Sequence, residues 1–518
     1  MTDDRKLISV LCHPSSVIRH LQTSAGRHIL TLVRGLSGSG ATSTSDGIEV
    51  NVHAPSLFVP PRPAAPIEEL GLYRFLIAVR TNALQIWSKS AYEQNVVVGS
   101  ALGRTRLLIN APDAIHRVLV DNTANYCRTS ATIRILRPLV GAGLLLSEGE
   151  DWRHQRRTIA PAMAPRVVPM MARHVSLATG ETIAQLAALA ARGPVDILAT
   201  FQFLALEIAA RSMFSLEMRQ YGAALRRLIT RFAGSLGRPY FLDLMLPAAI
   251  PTLRDLARMR FRSQWVAFMD EIIAARLSAP QADDSLGGKP RDLFDMLLAA
   301  RDPETGEAFS RAQLRDQMAT MIVAGHETTA LTLFWSLYLL ASSPADQERV
   351  AAEVGAIDLG PDAAAEALTK LPYTKAVVSE ALRLYPPAFA IARTAIGPDR
   401  LCDVAVPRGA VVMISPWVLH RHLRLWKDPD AFDPARFLGD APLPHRFAYM
   451  PFGAGPRICI GAQFALTEAC LVLAMIIQRF HVALADATPV RPVAVIVTQP
   501  DHAAPFRLRP RNENGGIQ

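Results

Sequence analysis

The chain has 518 residues, half of them hydrophobic and only 19% charged, so a single large core is possible. The 55 basic and 46 acidic side chains give a formal net charge of +9. That suits an acidic protein partner or an anionic surface, but there is no basic run of five residues and no base-reading signature, so no nucleic-acid partner is expected. Five scattered cysteines (Cys12, Cys127, Cys402, Cys459, Cys470) and no C-x-x-C argue against a disulfide framework and against a zinc knuckle, and suit a reducing compartment.

The first residues, Met1-Thr2-Asp3-Asp4-Arg5-Lys6, lack the apolar stretch of a signal peptide and the span of a transmembrane anchor, so a cytoplasmic location is expected. Residues 1–55 read as a flexible extension. Gly35–Gly47 has linker composition, and a short basic helix is expected around His20–Arg34. Pro60-Pro61-Arg62-Pro63 then opens the body, taken as one domain over 56–518. Val96–Val98 and Thr105–Ile109, with glycines between, predict a hairpin. Beyond Pro112 most of 113–385 reads as helix, with the vaguest boundaries in 165–310.

Within that region Trp152 and Arg156 share a helix face at i, i+4, while Arg153 and Arg157 read as surface charges. Leu314–Leu340 predicts a long buried helix. His326 and Glu327 at its middle argue against a membrane span. Its centre, Ala324-Gly325-His326-Glu327-Thr328-Thr329, breaks the helix-forming rule twice. Gly325 costs about 1 kcal/mol against alanine, and Thr328 can bond back to the Ala324 carbonyl. Together these residues would open a local groove. The start of a zinc-protease H-E-x-x-H is present, but Ala330 stands where the second histidine belongs. Further on, Glu380 and Arg383 at i, i+3 lie in an apolar run ending at Pro386-Pro387, which predicts a buried pair. Short strands are expected near Val404–Ile414 and near the C-terminus. His420 and His422 sit in what reads as an extended structural loop, and Cys470 reads as core.

The most specific segment is Phe452-Gly453-Ala454-Gly455-Pro456-Arg457-Ile458-Cys459-Ile460-Gly461. A thiolate in a glycine-rich turn can bind iron, and glycines let the backbone approach a flat group. A dinucleotide fingerprint fails here, because Ile458 replaces the third glycine and Pro456 intrudes. The pattern F-x-x-G-x-R-x-C-x-G resembles the haem-binding loop of cytochrome P450 monooxygenases, whose iron is held by a cysteine thiolate. Four further motifs occur in family order: W-x-x-x-R at Trp152, A-G-x-E-T-T at Ala324, E-x-x-R at Glu380, and the arginine of Asp433-Pro434-Ala435-Arg436-Phe437.

The resemblance covers about residues 60–510 and implies a mainly α fold with small β-sheets: a triangular helical body with a long central helix over the haem. It implies haem b on Cys459, with Phe452, Gly453, Gly461, Ala324 and Gly325 around it and Gly455 and Gly461 against the macrocycle. Trp152, Arg156, Arg393 and Arg457 would meet the propionates. Glu327 and Thr328 would be the acid–alcohol pair supplying protons for cleavage of dioxygen, and Glu380, Arg383 and Arg436 a structural triad. The implied reaction inserts one oxygen atom of O2 into a lipophilic molecule, such as a fatty acid or terpenoid. Substrate contacts would come from Thr129–Val140, Met321 to Ala324, Ala388–Ile391 and Val497–Thr498. No flavin or iron–sulfur signature is present, so electrons would come from a separate acidic ferredoxin or flavodoxin with its reductase, to a monomer. Two alternatives stay open: a haem-thiolate peroxygenase or isomerase, and a non-catalytic haem sensor.

Overall fold

A computed structural model describes residues 57–101, 103–215, 221–278, 290, 292–439 and 445–511. The expected N-terminal extension, with its basic helix and linker, lies outside the described residues. Among those described, eleven helices have ten or more residues: α1 Leu72–Thr81, α2 Ser130–Val140, α3 Gly149–Ile159, α4 Val168–Ala190, α5 Ile197–Phe214, α6 Gly222–Arg231, α7 Leu253–Ser278, α8 Arg311–Ser342, α9 Pro344–Val354, α10 Pro372–Leu384 and α11 Ala462–Arg479. The strands are β1 Val96–Ala101, β2 Arg104–Ile109, β3 Tyr126–Arg128, β4 Val195–Asp196, β5 Ile391–Ala395, β6 Asp399–Leu401, β7 Val404–Val406, β8 Val411–Ile414, β9 Phe480–Leu484, β10 Pro492–Ala494, β11 Thr498–Pro500 and β12 Pro505–Pro510. This is the helix-dominated body with small sheets that the sequence predicts, and the 165–310 region holds α4 to α7.

The largest sheet runs β1-β2-β8-β5-β3. The predicted hairpin is present with longer strands, Val96 facing Ile109 and Ala101 facing Arg104. Only β2 and β8 pair parallel in this sheet. At the other edge, β3 and β5 pair antiparallel so that Arg128 stands opposite Arg393.

The central helix α8 begins at a capping box, in which Ser310 Oγ accepts from Gln313 N–H and Gln313 Oε1 accepts from Ser310 N–H. From Thr329 to Leu340 it is buried on all sides, because α5, α10, α11 and β9 pack against it. Trp335 stacks on Tyr385 with ring centroids 3.9 Å apart and donates its indole N–H to the Thr498 carbonyl. Helix α11 is long and apolar enough to cross a membrane by composition, yet over half of its span is buried in this core. Cys470 lies there as a core thiol, pushed up to about 12 by burial.

Glu380 and Arg383 form the predicted buried pair, with both oxygens of Glu380 accepting from Arg383 at 2.7 Å. Arg383 also donates to the carbonyls of His420, Pro429 and Ala431, pinning that long connection to α10. Arg436 completes the triad as an ion pair, Nε lying 3.5 Å from Glu380 Oε1. His420 and His422 depart from the extended-loop expectation. Pro416–Leu419 is a helical turn that starts at Ser415, and both imidazoles are buried at its end. His420 Nδ1–H donates to the Arg383 carbonyl and its Nε2 accepts from Met450 N–H, so it bridges backbone segments and has no ring nitrogen left for a metal.

His326, on α8, is buried, and neither ring nitrogen finds a hydrogen-bond partner among the described residues. Burial drives its pKa down to about 4 from 6.5, helped by Arg226, with the nearby Gln202 backbone only partly offsetting. The folded state therefore holds a neutral imidazole that the unfolded chain would protonate below about 6.5. Its stabilising share is complete above that pH and is lost as pH falls from about 6.5 through about 4, a total on the order of 3 kcal/mol. Melting temperature should fall across this window, and His326→Phe should flatten the fall. Parallel pH profiles for the two proteins would contradict the assignment.

Candidate active site

Three walls meet around the cysteine loop. The first is the loop itself, a turn with Cys459 N–H bonded to the Phe452 carbonyl and Gly453 N–H to the Met450 carbonyl. Gly453 and Gly455 both sit at φ +73, the left-handed region that favours glycine. Gly455 has a second constraint: a Cβ there would lie 2.1 Å from the Leu119 carbonyl oxygen. It is thus pressed against the protein backbone on that side, a packing reason for glycine beyond the one expected. A Cβ on Gly461 would meet nothing within 4 Å, so that position does border open space. Cys459 is exposed at the end of this loop. Burial pushes its thiol up, while the Gly461 backbone and Arg156 pull it back.

The second wall is the middle of α8. Residues on either side of this stretch are buried, but Ala324 is exposed. Gly325 is not demanded by packing, since a Cβ would meet nothing within 4 Å. The helix runs unbroken here, and the Thr328 hydroxyl donates to the Ala324 carbonyl at 2.5 Å, the back-bond that the sequence predicts. Burial alone raises the Glu327 carboxyl above its usual range. Ile460 and Phe464, which flank the thiol, pack on the apolar cluster that contains Met318, Met321 and Ile322 and that Val323 also joins. The cysteine loop and α8 are thereby brought together.

The third wall is cationic. Arg156 donates to the Ile458 carbonyl at 2.8 Å, one residue from Cys459. Arg457 lies 4.4 Å over the Trp152 ring and bonds to the Ser147 carbonyl and to the Glu148 carboxylate. Arg128 bonds the other oxygen of Glu148 at 2.8 Å. Among the described residues, the Arg393 guanidinium bonds only the carbonyl of Ala392. Burial and the neighbouring Arg128 drive the pKa of Arg393 and of Arg457 down to about 10. Like charges directly opposite across a strand pair are destabilising, and here Arg128 faces Arg393 with Arg457 beside both. Three guanidinium groups share one carboxylate, an excess of two positive charges suited to a ligand with two carboxylates.

Trp152, Arg156 and Arg457 meet at the cysteine loop, Arg393 lies near Arg457, and Glu327 and Thr328 lie on the middle of α8. The sequence reading missed Arg128 and Glu148. The signal for Arg128 is the register of β3 on β5, which no local motif displays. Two other expectations change. Arg157 is not a free surface charge, because it makes two bonds to the buried Asp302, at 3.0 and 2.8 Å. Thr498 is not a substrate contact, because it is buried and its hydroxyl donates to the Pro386 carbonyl. Ala388 is exposed, three residues before β5.

The family model for cytochrome P450 matches residues 61–503. The chain is 33% identical to cyclooctatin synthase of Streptomyces melanosporofaciens, over 74% of this chain and 81% of that protein. It is 34% identical to cyclooctat-9-en-7-ol 5-monooxygenase of the same organism, over 67% and 73%. Cytokinin hydroxylase of Arabidopsis thaliana is 30% identical over 82% of each chain. Among solved structures, the haem domain of cytochrome P450DA aligns with a TM-score of 0.72 at 25% identity, covering 89% of this chain and all of that one. The cofactor of this family is haem, and the residues fit it: a cysteine in an open glycine turn for the iron, and a twofold cationic excess for the two propionates. Sequence, geometry and kinship agree that this chain is a haem-dependent monooxygenase belonging to the cytochrome P450 family.

Proposed function

We propose that Cys459 supplies the thiolate ligand of the haem and that Trp152, Arg156, Arg393 and Arg457, with Arg128, hold its propionates. The observation that carries this reading is the cation excess of the Arg128, Arg393 and Arg457 cluster beside an accessible cysteine. When bound, the haem activates dioxygen, so that one oxygen atom enters a C–H or C=C bond and the other leaves as water, at the expense of two electrons and two protons.

The protein's part is to bind, orient and supply protons. Glu327 keeps its proton nearer neutral pH than an ordinary glutamate because burial disfavours its charge. The Thr328 hydroxyl, held by the Ala324 carbonyl, is oriented on the open side of α8 and can pass protons on. Phe452, Gly453, Gly461, Ala324 and Gly325 would border the macrocycle.

The substrate is a lipophilic molecule of the fatty-acid or terpenoid type. The candidate contacts on α2, α8 and β5 are mainly apolar, and Arg134 of α2 is turned away to the carbonyls of Leu242, Pro247 and Ile250. The two Streptomyces relatives, named for cyclooctatin and for an alkenol of that series, favour the terpenoid side of that choice. Electrons come from a separate acidic ferredoxin or flavodoxin, which the net charge of +9 would attract. A cytoplasmic location fits its few, scattered cysteines.

Two outcomes test these assignments. The reduced, CO-bound wild type should show the thiolate-specific band and Cys459→Ser should lack it, whereas a histidine-type spectrum in the wild type would refute the ligand. Thr328→Ala should lower product formed per electron consumed by about tenfold or more, with O2 diverted to peroxide or water. An unchanged ratio would remove Thr328 from proton delivery.

A further inference from the structure

Helix α3 carries the aromatic and the arginine assigned to the propionates, yet little apolar packing holds it. Of its eleven residues only Gln155, Thr158 and Ile159 are buried. Four of the eleven are His154 or arginines, which a bare hydrophobic core would not retain. Polar ties therefore set its orientation. Gln155 donates to the Ala142 carbonyl at 3.0 Å, Arg156 donates to the Ile458 carbonyl, and the densest tie is on the opposite face. At about 100° per residue, His154 and Arg157 point roughly 150° away from Trp152 and Arg156.

There they meet Asp302, whose side chain is fully buried. Its carboxylate accepts from His154 Nδ1 at 2.7 Å, twice from Arg157, and from the Glu304 backbone N–H at 3.0 Å. The seat is built by the backbone. Asp302 N–H bonds the Glu307 carbonyl, and Gly306 at φ +72 returns its N–H to the Asp302 carbonyl at 2.7 Å. Phe309 packs edge-on against His154, and α8 starts at the next cap, Ser310. Arg157 also reaches Glu304 at 3.1 Å, at a mostly exposed rim. A charge-assisted, forked bond of this kind fixes rotation as well as position. One buried carboxylate thus joins the helix that faces the propionates to the segment leading into the helix that carries Glu327 and Thr328.

We infer that Asp302 is a positioning residue for the haem: through His154 and Arg157 it fixes the rotation of α3, and so presents Trp152 and Arg156 to the propionates. The inference rests on the propionate reading above, but the clamp can be tested with and without the cofactor. In the holoenzyme, Asp302→Asn should speed haem transfer to apomyoglobin by about tenfold or more, the scale of outer-shell partners at metal sites, while the thiolate CO band of the loaded fraction is kept. Arg157→Gln should act in the same direction, Asp302→Glu should restore part of the retention, and Glu304→Gln at the exposed rim should change little. In the haem-free chain, hydrogen exchange of the amides of α3 should rise in Asp302→Asn while that of the α8 core does not.

Haem transfer from Asp302→Asn at the wild-type rate, or unchanged exchange in α3, would overturn the inference. So would a rise spread evenly through α8, which would mark Asp302 as a general stabiliser. A wild type without a thiolate band would instead overturn the haem-ligand reading, and exchange in α3 would still decide whether the clamp exists.

Discussion

The ion pair of Glu380 and Arg383 is the constraint on which the cysteine loop depends. Both groups are fully buried, and the pair survives there only because nearly every donor and acceptor is used. Glu380 accepts two bonds from Arg383 and one from Asp433 N–H, while Arg383 spends its remaining donors on three backbone carbonyls. One of those carbonyls belongs to His420, whose ring in turn links the Arg383 carbonyl to Met450 N–H. Tyr449 reaches back to the Ser379 carbonyl at 2.9 Å. Met450 then accepts from Gly453, and Phe452 from Cys459. Hydrogen bonds alternating with short stretches of backbone therefore link the buried pair to the Cys459 amide. The low-dielectric surroundings that make the pair costly also make each of its bonds directional and hard to exchange for water.

The other determinant is charge held in deliberate imbalance. Arg128 helps to depress both Arg393 and Arg457, and Glu148, the one carboxylate bonded within the cluster, bonds Arg128 and Arg457 but not Arg393. A fold would not keep such a cluster for its own stability, because burying unpaired cations is expensive. It becomes favourable when a dianion enters, which is what the proposed propionate site requires of the chain. Glu148 also stands at the N-cap position of α3, where its backbone carbonyl accepts from Trp152 N–H, so one residue joins the cationic wall to the helix that Asp302 holds from behind.

Much of this was legible in the sequence where the chemistry is local. The cysteine loop, Glu327 with Thr328, Glu380 with Arg383, and Trp152 with Arg156 each lie within a few residues, and their spacing alone puts them on one turn or one helix face. The back-bond from Thr328 to Ala324 follows from helix geometry and is present. What stayed hidden depends on pairing between distant segments. Arg128 acquires meaning only from its register opposite Arg393, some 265 residues away. Arg157 reads as a surface charge until Asp302, 145 residues on, is seen to bury against it. The histidines after Pro416 read as extended because four residues are too few to show a helical period. The close approach of Gly455 to the Leu119 carbonyl cannot be read from a turn motif either.

The claim that the buried pair sets the thiol's position is tested most directly by the reduced CO spectrum of Arg383→Met, in which Cys459 and every propionate ligand are untouched. The account predicts that soluble Arg383→Met protein takes up little haem and that the bound fraction lacks the thiolate band. Full haem loading with an intact thiolate band would contradict it, and would show that the cysteine loop holds its shape without the ion pair.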